Sequence, residues 1–133
     1  MTFEEALFTY LSTHAGLSAL VSTRLYPVVL PQGATLPAVT YMRVSTVQMR
    51  TFGDPRMGRT ARIQFTVWAS TYASRLAVAQ QLAAALEGYD GLMGGTGGVT
   101  VLAAQGENEL DDYEPTAKVF QAALDFTFTY LGG

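Results

Sequence analysis

The opening residues alternate between apolar and polar positions with a helical period. Phe3, Ala6, Leu7, Tyr10 and Leu11 recur at i, i+3, i+4, i+7 and i+8, which places them on one face of a helix over residues 2–14. Thr2 followed three residues later by Glu5 has the spacing of a capping box. Gly16 ends this pattern, and Leu17 to Val21 has room for one further turn. From 22 to 37 the periodicity is lost. Pro27, Pro31, Gly33 and Pro37 punctuate an irregular stretch. In it, Leu25 to Leu30 predicts a short strand, confined to a sheet edge by Pro27.

The period then changes to two. Over residues 38–46, Ala38, Thr40, Met42 and Val44 share one side, and Val39, Tyr41 and Arg43 the other. Over 61–69 the alternation is cleaner: Ala61, Ile63, Phe65, Val67 and Ala69 face one way, Arg62, Gln64, Thr66 and Trp68 the other. Thr46 to Thr60, with Gly53, Asp54, Pro55 and Gly58, reads as a polar loop too long for a tight hairpin. A helix follows from a Ser70 or Thr71 cap to about Glu87, with Tyr72, Leu76, Ala79, Ala83 and Leu86 as its apolar stripe and Gly88 just beyond its end. The glycine-rich run 89–98 reads as a mobile loop, Val99–Ala103 as a short strand and Glu107–Glu114 as an acidic loop. In the last strand, Ala117–Leu131, Phe120, Ala122, Leu124, Phe126, Phe128 and Tyr130 form one apolar face. The expected fold is α+β, with a mixed, mainly antiparallel sheet packed against two main helices. No repeat or linker divides it, so residues 1–133 form one domain.

Composition narrows the function. Only 14% of residues are charged, against 49% hydrophobic. An average domain has about 25% charged residues, so the surface has unusually few charges to cover it, and partner subunits are expected to bury some of it. The net charge of −3 argues against specific nucleic-acid binding. The absence of cysteine excludes disulfides, thiol nucleophiles, Cys-rich zinc sites and Cys-ligated clusters. No apolar run reaches the ~18 residues of a membrane span. The acidic start Thr2-Phe3-Glu4-Glu5 is not a signal peptide, so no membrane partner is expected and the chain reads as made in the cytoplasm.

Candidate chemistry is sparse. His14 is the single histidine and falls at a helix end, where the helix dipole accounts for it. The run Gly91 to Gly98 lacks the Gly-Lys-Ser/Thr ending of a phosphate loop. It also follows a helix, where a dinucleotide fingerprint follows a strand. The acids from Glu107 do not fit a calcium loop, because position six is Asp112 and position twelve Lys118. No catalytic residue, metal ligand or cofactor is therefore assigned.

The charges are segregated along the chain. Seven of eight basic residues, all arginine, lie between Arg24 and Arg75, and eight of eleven acids lie at or after Glu87. Solvated loops would explain this, since exposed charge pairs contribute only about 0–1 kcal/mol. The alternative is that Arg43, Arg50, Arg56, Arg59 and Arg62, with Glu107, Glu109, Asp111 and Asp112, serve contacts to other proteins of an assembly. These are either a head-to-tail interface in which the arginines of one copy meet the acids of the next, or contacts to neighbouring components of another kind.

Several segments, taken in order, resemble a known family. They are Glu-Glu-Ala-Leu-Phe-Thr-Tyr-Leu at 4–11, Leu-Ser-Ala-Leu-Val at 17–21, Arg-Leu-Tyr-Pro at 24–27 and Pro-Gln-Gly-Ala-Thr-Leu-Pro-Ala-Val-Thr-Tyr at 31–41. Arg-Ile-Gln-Phe-Thr-Val-Trp-Ala at 62–69, Asp-Asp-Tyr-Glu-Pro at 111–115 and the final aromatic strand complete the pattern. Nearly the whole chain thus resembles the tail-completion, or tail-terminator, proteins of long-tailed phages. The resemblance implies a non-enzymatic virion protein at the head–tail joint. It implies a homo-oligomeric ring, a hexamer, that caps the tail tube protein, ends tail growth and joins the head connector or neck protein. The charged residues named above would then serve the subunit interface or a tail or neck contact. The 46–60 loop would make axial contact, and its arginines could face passing DNA in the lumen, although the negative net charge argues against tight binding. Two alternatives stay open: another tail-tube or neck (stopper) subunit, and a small ligand-binding or enzymatic α+β domain.

Overall fold

A computed structural model describes residues 2–48 and 58–131. Three helices and six strands follow one another as α1 (Phe3–Thr13), α2 (Ala15–Val21), β1 (Leu25–Pro27), β2 (Ala38–Gln48), β3 (Arg59–Ala69), α3 (Tyr72–Leu86), β4 (Gly91–Met93), β5 (Val99–Glu114) and β6 (Val119–Leu131). The strands form one sheet in the order β1-β2-β3-β6-β5-β4. Every pairing is antiparallel except β1 with β2. The α+β class and the mixed, mainly antiparallel sheet match the expectation. There are three helices where two main ones were expected, because the turn at 17–21 is a separate short helix.

The expected capping box is present. The Thr2 hydroxyl accepts from the Glu5 amide at 3.2 Å, and the Glu5 carboxylate accepts from the Thr2 amide at 3.3 Å. Phe3, Ala6, Leu7 and Leu11 are buried, and Tyr10 is partly buried with its hydroxyl donating to the Ala85 carbonyl at 2.6 Å. On the sheet, the buried face is the one expected from the alternation: Ala61, Ile63, Phe65, Val67 and Ala69 on β3, and Ala122, Leu124, Phe126, Phe128 and Tyr130 on β6. All of these but Ala69 share one core with side chains from all three helices. At its centre the Phe3 ring stacks on Tyr130 at 4.4 Å and tilts against Phe128 at 5.2 Å. The opposite face of β3 and β6 carries Gln64, Thr66, Trp68, Gln121, Ala123 and Thr127, all partly exposed.

Four expectations are corrected. The stripe of α3 is rotated: Arg75, Val78, Ala79, Leu82, Ala85 and Leu86 are buried, while Tyr72 and Leu76 are largely exposed. This helix is alanine-rich on every side, so its apolar positions do not single out one face. The acidic segment is no loop, because Glu107–Glu114 continues β5, which pairs with β6 along its length. The glycine-rich run contains β4, whose Met93 is fully buried. The loop between the central strands is shorter than expected, because Thr46, Val47 and Gln48 pair with Ala61, Thr60 and Arg59.

Candidate assembly surface

The expected interface residues fall on three strands. Arg43 sits on β2 and pairs with Glu4 of α1. It also donates to the Thr46 hydroxyl at 2.6 Å and the Tyr130 hydroxyl at 3.1 Å. Arg62, on the uncovered face of β3, pairs with Asp125 of β6 at 2.8 Å. Arg59 is exposed at the start of β3. Arg50 and Arg56 lie outside the described residues, as does most of the 46–60 loop. Glu107 occupies the bulge between Gly106 and Asn108, and Asp112 accepts from the Tyr113 amide at 2.8 Å. Glu109 and Asp111 meet Arg75 of α3, at 3.3 and 2.5 Å.

Part of the charge segregation is thus resolved inside the chain. Arg75 was not among the expected interface residues. It is 2% exposed, its guanidinium lies 5.8 Å from the Tyr72 ring centroid, and its Nε has no hydrogen-bond partner. A fully buried arginine is rare unless paired. The carboxylates of Glu109 and Asp111, two residues apart on a strand, project to the same face and supply the pairing. A sequence signal did exist. Glu107, Glu109 and Asp111 are spaced as alternate residues of a strand, and Arg75 is the only charged side chain in its helix.

Both sides of the sheet end in partly open edges. β1 covers β2 only at Val39–Tyr41, so Met42–Gln48 has no flanking strand among the described residues. β4 covers β5 only at Val99–Val101. The end of α3 closes the next step. Gly88, with φ +74°, donates its amide to the Ala104 carbonyl at 3.0 Å, and the Glu87 carboxylate accepts from the Gly106 amide at 2.7 Å. A side chain at Gly106 would come within 2.6 Å of that carboxylate, so glycine allows this approach. Beyond Gly106, β5 has no further strand or cap beside it among the described residues. Exposed apolar side chains lie along both open stretches: Met42, Val44 and Val47 on β2, Leu110 and Tyr113 on β5.

An apolar hollow of about 480 Å³ opens where Val28, Val29, Leu30 and Leu36 face Trp68 and Val119. Among the described residues no three His, Asp or Glu side chains are grouped to hold a metal ion. No described helix is long and apolar enough to cross a membrane. Burial pushes the phenols of Tyr10, Tyr41 and Tyr89 up from their ordinary value. Hydrogen bonds from Thr2, the backbone one first, hold the Glu5 carboxyl below the usual carboxylate range.

The fold recurs in a solved particle. A chain of the "Virion of native gene transfer agent (GTA) particle" superposes with a TM-score of 0.69 at 18% identity, covering 95% of this chain and 92% of that one. No curated protein matches the sequence. The family comparison adds the class, a structural protein of a phage-type virion tail. Within that class the chain belongs to the family "Tail completion protein gp17", whose model matches residues 5–131. Its place is the virion tail.

Proposed function

We propose that the chain forms a ring of six copies that sits on the last ring of the tail tube, ends tube growth and presents a surface to the head connector. The carrying observation is the family match over residues 5–131. The two partly open sheet edges, on opposite sides of the subunit, support a head-to-tail contact between copies, the type of contact that closes into a ring. The charged residues proposed for the ring and tail contacts are Arg43, Arg59 and Arg62 with Glu107, Glu109, Asp111 and Asp112. Because Glu109 and Asp111 already serve Arg75, Glu107 and Asp112 are the acids of β5 best placed to meet a neighbour. In this reading the protein does no chemistry.

The test is to delete the gene and image the particles. Tails of irregular length, detached from heads, are expected, with rescue by the purified protein as a six-copy ring. Tails of normal length joined to heads would overturn the proposal. A protein that stacks into tubes by itself would point to a tube subunit.

A further inference from the structure

We infer that neighbouring copies join by continuing the β-sheet, the open half of β2 in one copy pairing antiparallel with the open half of β5 in the next. The inference rests on the ring reading above and names the contact that closes it.

Strand directions permit the joint without turning a copy over. β2, β3, β6 and β5 alternate in direction, so a β2 placed beside β5 extends the alternation. Both edges then keep their helices on the same side of the sheet. The backbone groups also match. The Gly106 amide donates away from β6 to Glu87. Past the one-residue bulge the alternation puts the amides and carbonyls of Glu109 and Asp111 on that same open side, while the Tyr113 amide there is already taken by Asp112. On β2 past its own bulge, Thr46 and Gln48 point away from β3 in the same manner. Glu109 and Asp111 on β5 and Thr46 on β2 carry their side chains on the helix-covered face, so opposing them keeps the faces in register.

The rest of the two edges is closed to strand addition. β1 offers little: the Leu25 amide donates to Thr23, Pro27 has no amide hydrogen, and its carbonyl accepts from Val29. β5 is closed by β4 and the α3 cap up to Gly106. The segments left for pairing are 42–48 and 107–114. Charge favours this pairing over the self-pairing of β5. β5 carries Glu107, Glu109, Asp111, Asp112 and Glu114 over eight residues, so two β5 edges repel, whereas β2 carries Arg43 and no acid.

The open halves lie at different heights. Val39, Val67, Ala122 and Asp111 form one row across the sheet, and Thr46, Ala61, Phe128 and Ala104 another. Bringing Thr46 level with a neighbour's Asp111 displaces that neighbour by the six residues from Val67 to Ala61, ~20 Å at ~3.4 Å per residue. A closed sheet requires such a stagger, which tilts its strands to the ring axis.

The chain has no cysteine, so introduced thiols report alone. In this register Val47 and Leu110, both exposed, oppose each other. Rings formed by V47C/L110C should oxidise into a ladder of covalent oligomers, and neither single variant should cross-link. Hydrogen exchange on the unmodified ring covers any two-residue shift in register. The amides of Thr46, Gln48, Glu109 and Asp111 should exchange at least ~10-fold more slowly in the ring than in the monomer. Rings seen by native mass measurement with these amides unprotected would overturn the joint and leave the ring reading standing. Dimers of L110C alone would overturn it in favour of β5 self-pairing. A chain that stays monomeric, even with tail tubes, would overturn both.

Discussion

Arg75 shows how one side chain can hold two elements in place. It buries a charge on the face of α3 and meets two carboxylates from β5, each more than half exposed. Water therefore screens the pair on one side, and the usual ~3–5 kcal/mol for breaking a buried pair is an upper bound. Arg75→Ala should cost about 1–3 kcal/mol, from lost packing and from two carboxylates left close together. Arg75→Met keeps the apolar stem and buries no charge, so it should cost less. Urea midpoints of the two variants decide this, and equal losses would mean that packing alone matters. Arg75 was also the residue least legible in the sequence. A lone arginine in an alanine-rich helix reads as the solvent side until its partners are known, and those partners are 34 and 36 residues away.

Among the elements, those with a strict period were readable. α1 has an apolar stripe and a capping box, and β3 and β6 alternate cleanly, because each has one face in the core. β5 was not readable beyond Ala103. Past Ala104 its side chains are exposed, so no apolar burial imposes alternation; backbone pairing with β6 and the two carboxylates held by Arg75 keep it in place. At the start of α1 the cap makes a pH-dependent prediction. The folded Glu5 carboxyl lies below its unfolded value, so its contribution is full above about pH 4.3. It is lost as pH falls through the lower folded value. Thr2→Ala should cost about 1 kcal/mol at neutral pH. Glu5→Gln should flatten the acid limb of the α1 stability profile, measured by hydrogen exchange of its first turn. An unchanged limb would assign it to other carboxylates.

For the whole molecule, the charge distribution separates folding from assembly. Reversing Glu109, Asp111 and Asp112 together to lysine places two cations against Arg75, so both thermal stability and ring formation should fall. Asp112→Lys alone leaves the Arg75 contacts intact. It should keep the thermal midpoint close to that of the parent chain while weakening rings, read by native mass measurement in low salt. A loss of midpoint equal to that of the triple variant would show that Asp112 serves the fold. High salt should narrow the difference between the parent and Asp112→Lys rings, because exposed charges are screened over about 10 Å at 0.1 M.

The blunted strand β1 has a consequence for how assembly would proceed. With one pairing segment on each side of the subunit, a row of joined copies always exposes one unsatisfied edge at each end, whatever its length. Only the final contact removes both loose ends at once, and it does so without ordering another copy. Partial rows would then be short-lived, and the population would divide between single chains and complete rings. A tail reaching its final length would acquire its end piece in one concerted event, with no gradual accumulation of subunits.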